Sequence, residues 1–133
     1  MSTYLATGIL VMLGGALGAG CRYLVAEAVR AWLPPSDAAR VPWATTIVNV
    51  AGSFLLGVVT GLAGLQAVGG PAGAALLGVG FCGGFTTFST FAVDCVSLFS
   101  ARAARALSTY LAINVVAGCA AAAAGLWLSV TLG

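Results

Sequence analysis

The sequence GFCGGFTTFSTF, residues 80–91, is uncharged and rich in glycine, hydroxyl and phenyl groups. Gly80, Gly83 and Gly84 each disfavour a helix by about 1 kcal/mol relative to alanine, so together they predict a break near the middle of the helix. In a membrane interior, the carbonyls that a break releases need neighbouring donors, water or a cation. A carbonyl cluster without nearby carboxylates suits a hard monovalent cation.

Aromatic rings and hydroxyls follow the predicted break. Helical spacing puts Phe85, Phe88 and Phe91 on one face, and phenyl edges carry the partial positive charge that faces a small anion. Hydroxyl donors come from Thr87, Ser89 and Thr90. The alternative is a packing stripe, with threonines bonded to their own helix.

The composition is that of an integral membrane protein. Of the 133 residues, 61% are hydrophobic and 6% charged, whereas soluble domains are about 25% charged. The net charge of +2 is too small to indicate a nucleic-acid partner. No basic segment precedes the first apolar stretch, which therefore reads as a retained span and not as a signal peptide.

Charges and prolines divide residues 1–133 into one domain of four transmembrane helices. The first connection is long enough for a short interfacial helix that ends at Pro34 and Pro35. Small residues recur four positions apart, a spacing that favours close helix packing in lipid. The predicted spans are residues 4–26, 43–65, 72–99 and 106–132. The repeated pairs are Gly14 and Gly18, Gly57 and Gly61, Gly80 and Gly84, and Gly118 and Ala122.

Two pairs of polar side chains lie within the spans, at helical spacing. Asn49 and Ser53 share one face of the second span, and Tyr110 and Asn114 share one face of the fourth. Such groups either bond between helices or line a polar pathway. The sequence is compatible with both interpretations of Asn49.

The residue types needed for most enzymatic chemistry are missing. The chain has no histidine or lysine, no phosphate-binding loop and no pair of carboxylates, because Glu27, Asp37 and Asp94 are far apart in sequence. The four cysteines form no C-x-x-C pair and are expected to be free thiols. We therefore expect that the chain is not an enzyme.

Three motifs carry a resemblance to a known family: GGALGAGCRYL (14–24), VNVAGSFLLG (48–57) and GFCGGFTTFSTF (80–91). With these motifs, and over all four spans, the chain resembles the Fluc fluoride channels, also called CrcB. The resemblance implies a passive, fluoride-selective channel of the bacterial inner membrane. It also implies an antiparallel dimer, with each subunit inverted relative to the other and two pores at the interface.

The resemblance also implies roles for individual residues. Asn49 would coordinate fluoride, Phe88 and Phe91 would present ring edges, and Ser89 and Thr90 would be nearby donors. The polar track of the fourth span would begin at Tyr110 and pass Asn114. Backbone oxygens of Gly83 and Thr86 from both subunits would hold a structural Na⁺ that is not transported.

Some positions depart from the family pattern. Asn114 stands where serine is common, Gly118 where a second hydroxyl is often found, and Asp94 where glutamate is frequent. The resemblance therefore gives less support to the outer half of the track than to the inner half. Arg22 is predicted to attract anions at a vestibule, with snorkelling to the interface as the alternative.

The arginines bear on the orientation of the chain in the membrane. Arg30 and Arg40 in the first connection, Arg102 and Arg105 in the third, and Arg22 all belong to one face, which by the positive-inside rule leaves both termini outside. A chain that inserts in both orientations should show little such bias. The expectation is an antiparallel homodimer, with a heterodimer with an inverted homologous subunit as the alternative.

Two other classes of protein compete with the channel. A dual-topology small-drug/proton antiporter needs a carboxylate in the middle of the membrane, whereas Glu27 and Asp94 lie near span ends. A non-transporting assembly subunit would explain the glycine pairs but not the polar faces.

Overall fold

The computed structural model describes residues 2–33, 41–64 and 66–132. It contains four helical segments long and apolar enough to cross a membrane, which confirms the predicted all-α class with four spans. The first helix is Ser2–Trp32 and the second is Trp43–Gly64. The third span is Gly70–Ser100 and the fourth is Ala104–Thr131.

The first helix is longer than the sequence predicts. It continues without a break to Trp32, so residues 27–32 extend the first span and do not form a separate interfacial helix. Arg30 Nη2 lies 3.0 Å from Glu27 Oε1 on this exposed last part of the helix. Pro34 and Pro35, where the interfacial helix was expected to end, lie outside the described residues.

Glycines allow the spans to approach closely in two pairs. The first span packs on residues 74–85, and a Cβ at Gly14 or Gly18 would collide with the carbonyl oxygens of Leu76 or Phe81. The second span packs on Gly118–Leu132, and a Cβ at Gly57 would collide with the carbonyl oxygen of Ala122. These contacts confirm the close packing predicted from the glycine spacing.

The third span is irregular. It begins with one α-helical turn, continues as a π-helix over Ala74–Cys82 and returns to α-helix over Gly83–Phe85. Thr86 (φ −79°, ψ 163°) and Thr87 (φ −148°, ψ 120°) are then extended, and a helix resumes over Phe88–Ser100. The helical backbone of this span is therefore interrupted at two residues.

The interruption lies near the middle of the third span, as predicted, but it follows the glycines and does not fall among them. Gly83 is helical (φ −64°, ψ −38°), and the extended residues come after Gly84. Gly80 and Gly84 lie against the first span, where a Cβ would collide with the backbone of Val11 or Gly15. Packing against the first span therefore outweighs the low helix propensity of these glycines.

A second π-helical segment lies in the fourth span. Helix Ala104–Ala112 is followed by the π-helix Ile113–Ala117 and then by helix Gly118–Leu132. Asn114 belongs to this π-helix. Because π-helical turns are rare and concentrate at functional sites, both irregular segments point to the same region of the bundle.

Candidate functional site

A cavity of about 810 Å³ lies beside the interruption of the third span. Its walls come from the second span, from both parts of the third and from the π-helix of the fourth. None of the described residues that line it is charged. It brings together six of the predicted site residues: Asn49, Gly83, Thr86, Phe88, Phe91 and Asn114.

The side chain of Asn49 spans the interruption. Its Oδ1 accepts from the Thr87 N–H at 2.9 Å, and its Nδ2 donates to the Thr87 carbonyl at 3.2 Å. One amide thus pairs both backbone groups of an extended residue, as a neighbouring strand would. Because buried backbone groups are costly to leave unpaired, Asn49 stabilises the interruption, which supports the interhelical-bond interpretation of this residue.

Asn114 joins the fourth span to the same group. Its Oδ1 accepts from Asn49 Nδ2 at 3.2 Å. Its Nδ2 donates to the Tyr110 carbonyl at 2.9 Å and to Thr46 Oγ1 at 3.3 Å. The two amides therefore connect the second, third and fourth spans at one depth.

The polar group continues toward the Trp43 end of the second span. The Tyr110 hydroxyl is fully buried and donates to Asp94 Oδ2 at 2.9 Å, and Thr45 Oγ1 donates to the same oxygen at 2.8 Å. Thr45, Thr46 and Asp94 were not among the predicted site residues. The signal that could have found the threonines is their position four and three residues before Asn49, on its face of the helix.

The aromatic side chains divide into two sets. The ring centroids of Phe88 and Phe91 are 5.9 Å apart, and those of Phe91 and Tyr110 are 5.3 Å apart. Phe85 is instead buried, and its ring stacks on Phe81 at 5.8 Å. The prediction that Phe85 shares a face with Phe88 and Phe91 is wrong, because the extended residues reorient the chain between Phe85 and Phe88.

The hydroxyls after the interruption converge on Thr87. Its Oγ1 accepts from the Thr90 N–H at 3.2 Å, donates to Thr90 Oγ1 at 3.0 Å and lies 3.3 Å from Ser89 Oγ. Thr87 is thus the N-cap of helix Phe88–Ser100. Ser89 and Thr90 themselves are exposed in the single chain.

The backbone oxygens of Gly83 and Thr86 lie at the end of the first helical part. The Thr87 N–H, which would pair with the Gly83 carbonyl in a continuous helix, donates to Asn49 instead. The Thr86 carbonyl lies 3.5 Å from Arg22 Nη1. The neutral Gly83 oxygen freed in this way is a suitable ligand for a hard monovalent cation such as Na⁺, whereas the Thr86 oxygen accepts from a guanidinium in the single chain.

Comparison with known proteins places this sequence in a family. The model of the family described as "CrcB-like protein, Camphor Resistance (CrcB)" matches residues 9–126. The chain belongs to the CrcB family. The matched residues include every predicted site residue of this CrcB chain, from Arg22 to Asn114.

Three relatives show how far the similarity of this CrcB chain extends. Fluoride-specific ion channel FluC 2 of Rhodococcus jostii is 44% identical over 95% of this chain and 97% of its own length. Fluoride-specific ion channel FluC of Methanopyrus kandleri is 43% identical over 87% of this chain and 83% of its own length. FluC 1 of Ligilactobacillus salivarius is 39% identical over 90% and 96%. The similarity thus covers nearly the whole chain.

Proposed function

We propose that this chain forms a fluoride-selective channel that lets fluoride leave the cell passively across the bacterial inner membrane. The observation that carries the proposal is an uncharged, largely apolar cavity whose lining includes amide, hydroxyl and phenyl groups. It occurs in a CrcB chain whose relatives are named fluoride-specific ion channels. Those names describe channels, in agreement with the expectation that the chain is not an enzyme.

The chemistry of the cavity suits a small, strongly hydrated anion. Conduction needs sites that replace water yet release the ion, so several weak neutral donors in series serve better than one buried cation. The cavity lining supplies amide and hydroxyl groups from Asn49, Thr87 and Asn114, and Tyr110 precedes Asn114 by one helical turn on the proposed polar track. The edges of Phe88 and Phe91 supply partial positive charge between them.

An antiparallel dimer would complete the pathway. The Phe88 side chain is 79% exposed in the single chain, and a Cβ added at Gly83 would meet no described atom within 4 Å. If the Phe88 ring faces an ion, the opposite side of the pathway must come from another chain. In an antiparallel dimer, each inverted subunit would supply that side to the cavity of the other. We favour a homodimer, with an inverted homologous partner as the alternative.

Labelling of a cysteine at either terminus from both sides of the membrane tests this, since one-sided labelling would exclude the dual-topology homodimer.

A structural Na⁺ would be held by the backbone oxygens of Gly83 and Thr86 from both subunits. When bound, the cation would be stabilised by the partial negative charge of these carbonyl oxygens and would join the two interrupted spans. Arg22 would stand near the entrance to this region and attract anions, and its guanidinium contacts the Thr86 carbonyl. We expect dimers prepared in sodium salts to resist dissociation better than dimers prepared in salts of a bulky organic cation.

Fluoride efflux from proteoliposomes, followed with a fluoride electrode, tests the proposed function. The protein should release fluoride without a proton gradient, and Phe88→Ile should lower the rate at least tenfold while the protein stays folded. Phe99→Ile is the matched control, because Phe99 is a 75% exposed ring at the far end of the same helix. Absence of fluoride release from the unmodified protein would contradict the proposal. Drug exchange coupled to protons would instead support an antiporter. The absence of both fluoride and drug flux would support an assembly subunit.

A further inference from the structure

We propose that Asn114 sets the affinity of the channel for fluoride, because its Oδ1 occupies the place from which an anion would accept a hydrogen bond from Asn49. The inference rests on the proposed function and concerns its central amide. Asn114 Oδ1 and fluoride would compete for the same hydrogen of Asn49 Nδ2, and this role is additional to the place of Asn114 along the polar track.

The orientation of both amides follows from their backbone partners. The Thr87 N–H can only donate, so the Asn49 atom that faces it at 2.9 Å is Oδ1. The Tyr110 carbonyl can only accept, so the Asn114 atom 2.9 Å from it is Nδ2. The remaining atoms then face each other in one way, with Asn49 Nδ2 donating to Asn114 Oδ1.

Both hydrogens of Asn49 Nδ2 are therefore in use. One goes to the Thr87 carbonyl, which belongs to the backbone of the interruption, and the other goes to Asn114 Oδ1. An amide nitrogen has only two hydrogens. An anion that binds Asn49 Nδ2 without disturbing the interruption must displace Asn114 Oδ1.

Asn114 is itself held in this position. Its Nδ2 donates to the Tyr110 carbonyl and to Thr46 Oγ1, whose own hydrogen goes to the Pro42 carbonyl at 3.0 Å. Its oxygen can therefore turn away from Asn49 only if both donor bonds are lost. The free energy needed to displace this oxygen weakens fluoride binding. The return of the oxygen to Asn49 speeds fluoride release.

The test is the fluoride concentration that gives half-maximal efflux from proteoliposomes. Asn114→Ser removes the amide oxygen and keeps a short hydroxyl, so the half-maximal concentration should fall about threefold to tenfold, the equivalent of one neutral hydrogen bond. Asn114→Ala should lower it too. Asn114→Asp keeps an acceptor toward Asn49 and adds negative charge, and it should raise the concentration.

Ser108→Ala is the matched control. Ser108 lies in the same span, is exposed and donates to the Ala104 carbonyl of its own helix at 2.8 Å. Its replacement should leave the half-maximal concentration unchanged. An unchanged or higher value in both Asn114→Ser and Asn114→Ala would overturn the inference while the channel function stands. A lack of efflux from the unmodified protein would overturn the channel function, and the inference with it.

A measurement on the unmodified protein guards against variants that do not fold. In protein labelled with ¹⁵N-asparagine, fluoride should shift the side-chain resonances of Asn49 and Asn114 together, because binding separates them. Chloride at equal concentration is the control anion. A fluoride titration that moves neither resonance, or only that of Asn49, would overturn the inference.

Discussion

The first and third spans meet through backbone, whereas beside the interruption of the third span the second, third and fourth spans meet through polar side chains. At the first contact, Gly14 and Gly18 bring two helices so close that a Cβ would collide with a carbonyl oxygen. At the second, the amides of Asn49 and Asn114 carry the hydrogen bonds between spans. Close backbone contact favours one fixed arrangement, while side-chain hydrogen bonds can be exchanged for an ion. The comparison indicates that the close contact between the first and third spans supports the polar half of the bundle, which is the region beside the interruption that we propose as the ion pathway.

Gly18→Val should have the largest effect on folding, because it disrupts the close backbone contact between the first and third spans. The new Cβ would collide with the Phe81 carbonyl, and backbone cannot move aside as a side chain can. We expect a loss of about 3 kcal/mol or more of unfolding free energy. Gly20→Ala is the control, because a Cβ there meets no described atom within 4 Å and should change stability by no more than about 1 kcal/mol.

The measurement for both variants is the recovery of folded protein and its unfolding free energy in mixed detergent micelles. If Gly18→Val were as stable as Gly20→Ala, the first and third spans would not be held by close backbone approach. The contrast with the polar half would then fail.

Asn49→Ala should have the next largest effect, because two backbone groups lose their partners together. The Thr87 N–H and carbonyl would both lose their hydrogen bonds to the Asn49 amide. We expect the unfolding free energy to fall by about 2 kcal/mol, more than for an average interhelical hydrogen bond in a membrane. Asn49→Asp keeps the acceptor for the Thr87 N–H, but its carboxylate would face the Thr87 carbonyl and Asn114 Oδ1 without a hydrogen to donate, so it should lose at least as much. Unfolding free energy and fluoride efflux should be measured on the same preparations.

The two measurements on Asn49→Ala separate the two interpretations of the residue. If stability falls and the folded fraction still conducts at the normal rate, Asn49 serves only to join the spans. If efflux per folded protein also falls, Asn49 contacts the ion as well. Equal stability of Asn49→Ala and the unmodified protein would show that the Thr87 backbone does not depend on this amide.

The features that sequence predicted well are those with a short-range cause. Four apolar segments between charges and prolines gave four spans, and the four-residue glycine spacing gave the close contacts of Gly14, Gly18 and Gly57. These signals depend on composition and helical period alone. Asn49 was singled out because an amide in hydrocarbon needs a partner wherever that partner lies.

The features that sequence missed depend on neighbours distant along the chain. The glycines of the third span predicted a break at their own position, yet Gly84 is kept helical by the first span, and the interruption follows at Thr86 and Thr87. Phe85 was separated from Phe88 by the same shift. The bond between Asn49 and Asn114 joins residues 65 positions apart, and neither residue alone indicates it.

Thr87→Val should have the smallest effect, because the contact it removes is local. The Thr87 hydroxyl caps helix Phe88–Ser100 by accepting from the Thr90 N–H, and loss of such a cap costs about 1 kcal/mol. Thr87→Ser keeps a cap oxygen and is the matched control. The Asn49 amide still pairs the Thr87 backbone in both variants, so the loss measured in mixed micelles should stay below that of Asn49→Ala. A larger loss would mean that the cap, and not the amide from the second span, holds the interruption, and the polar half would then depend on a local contact after all.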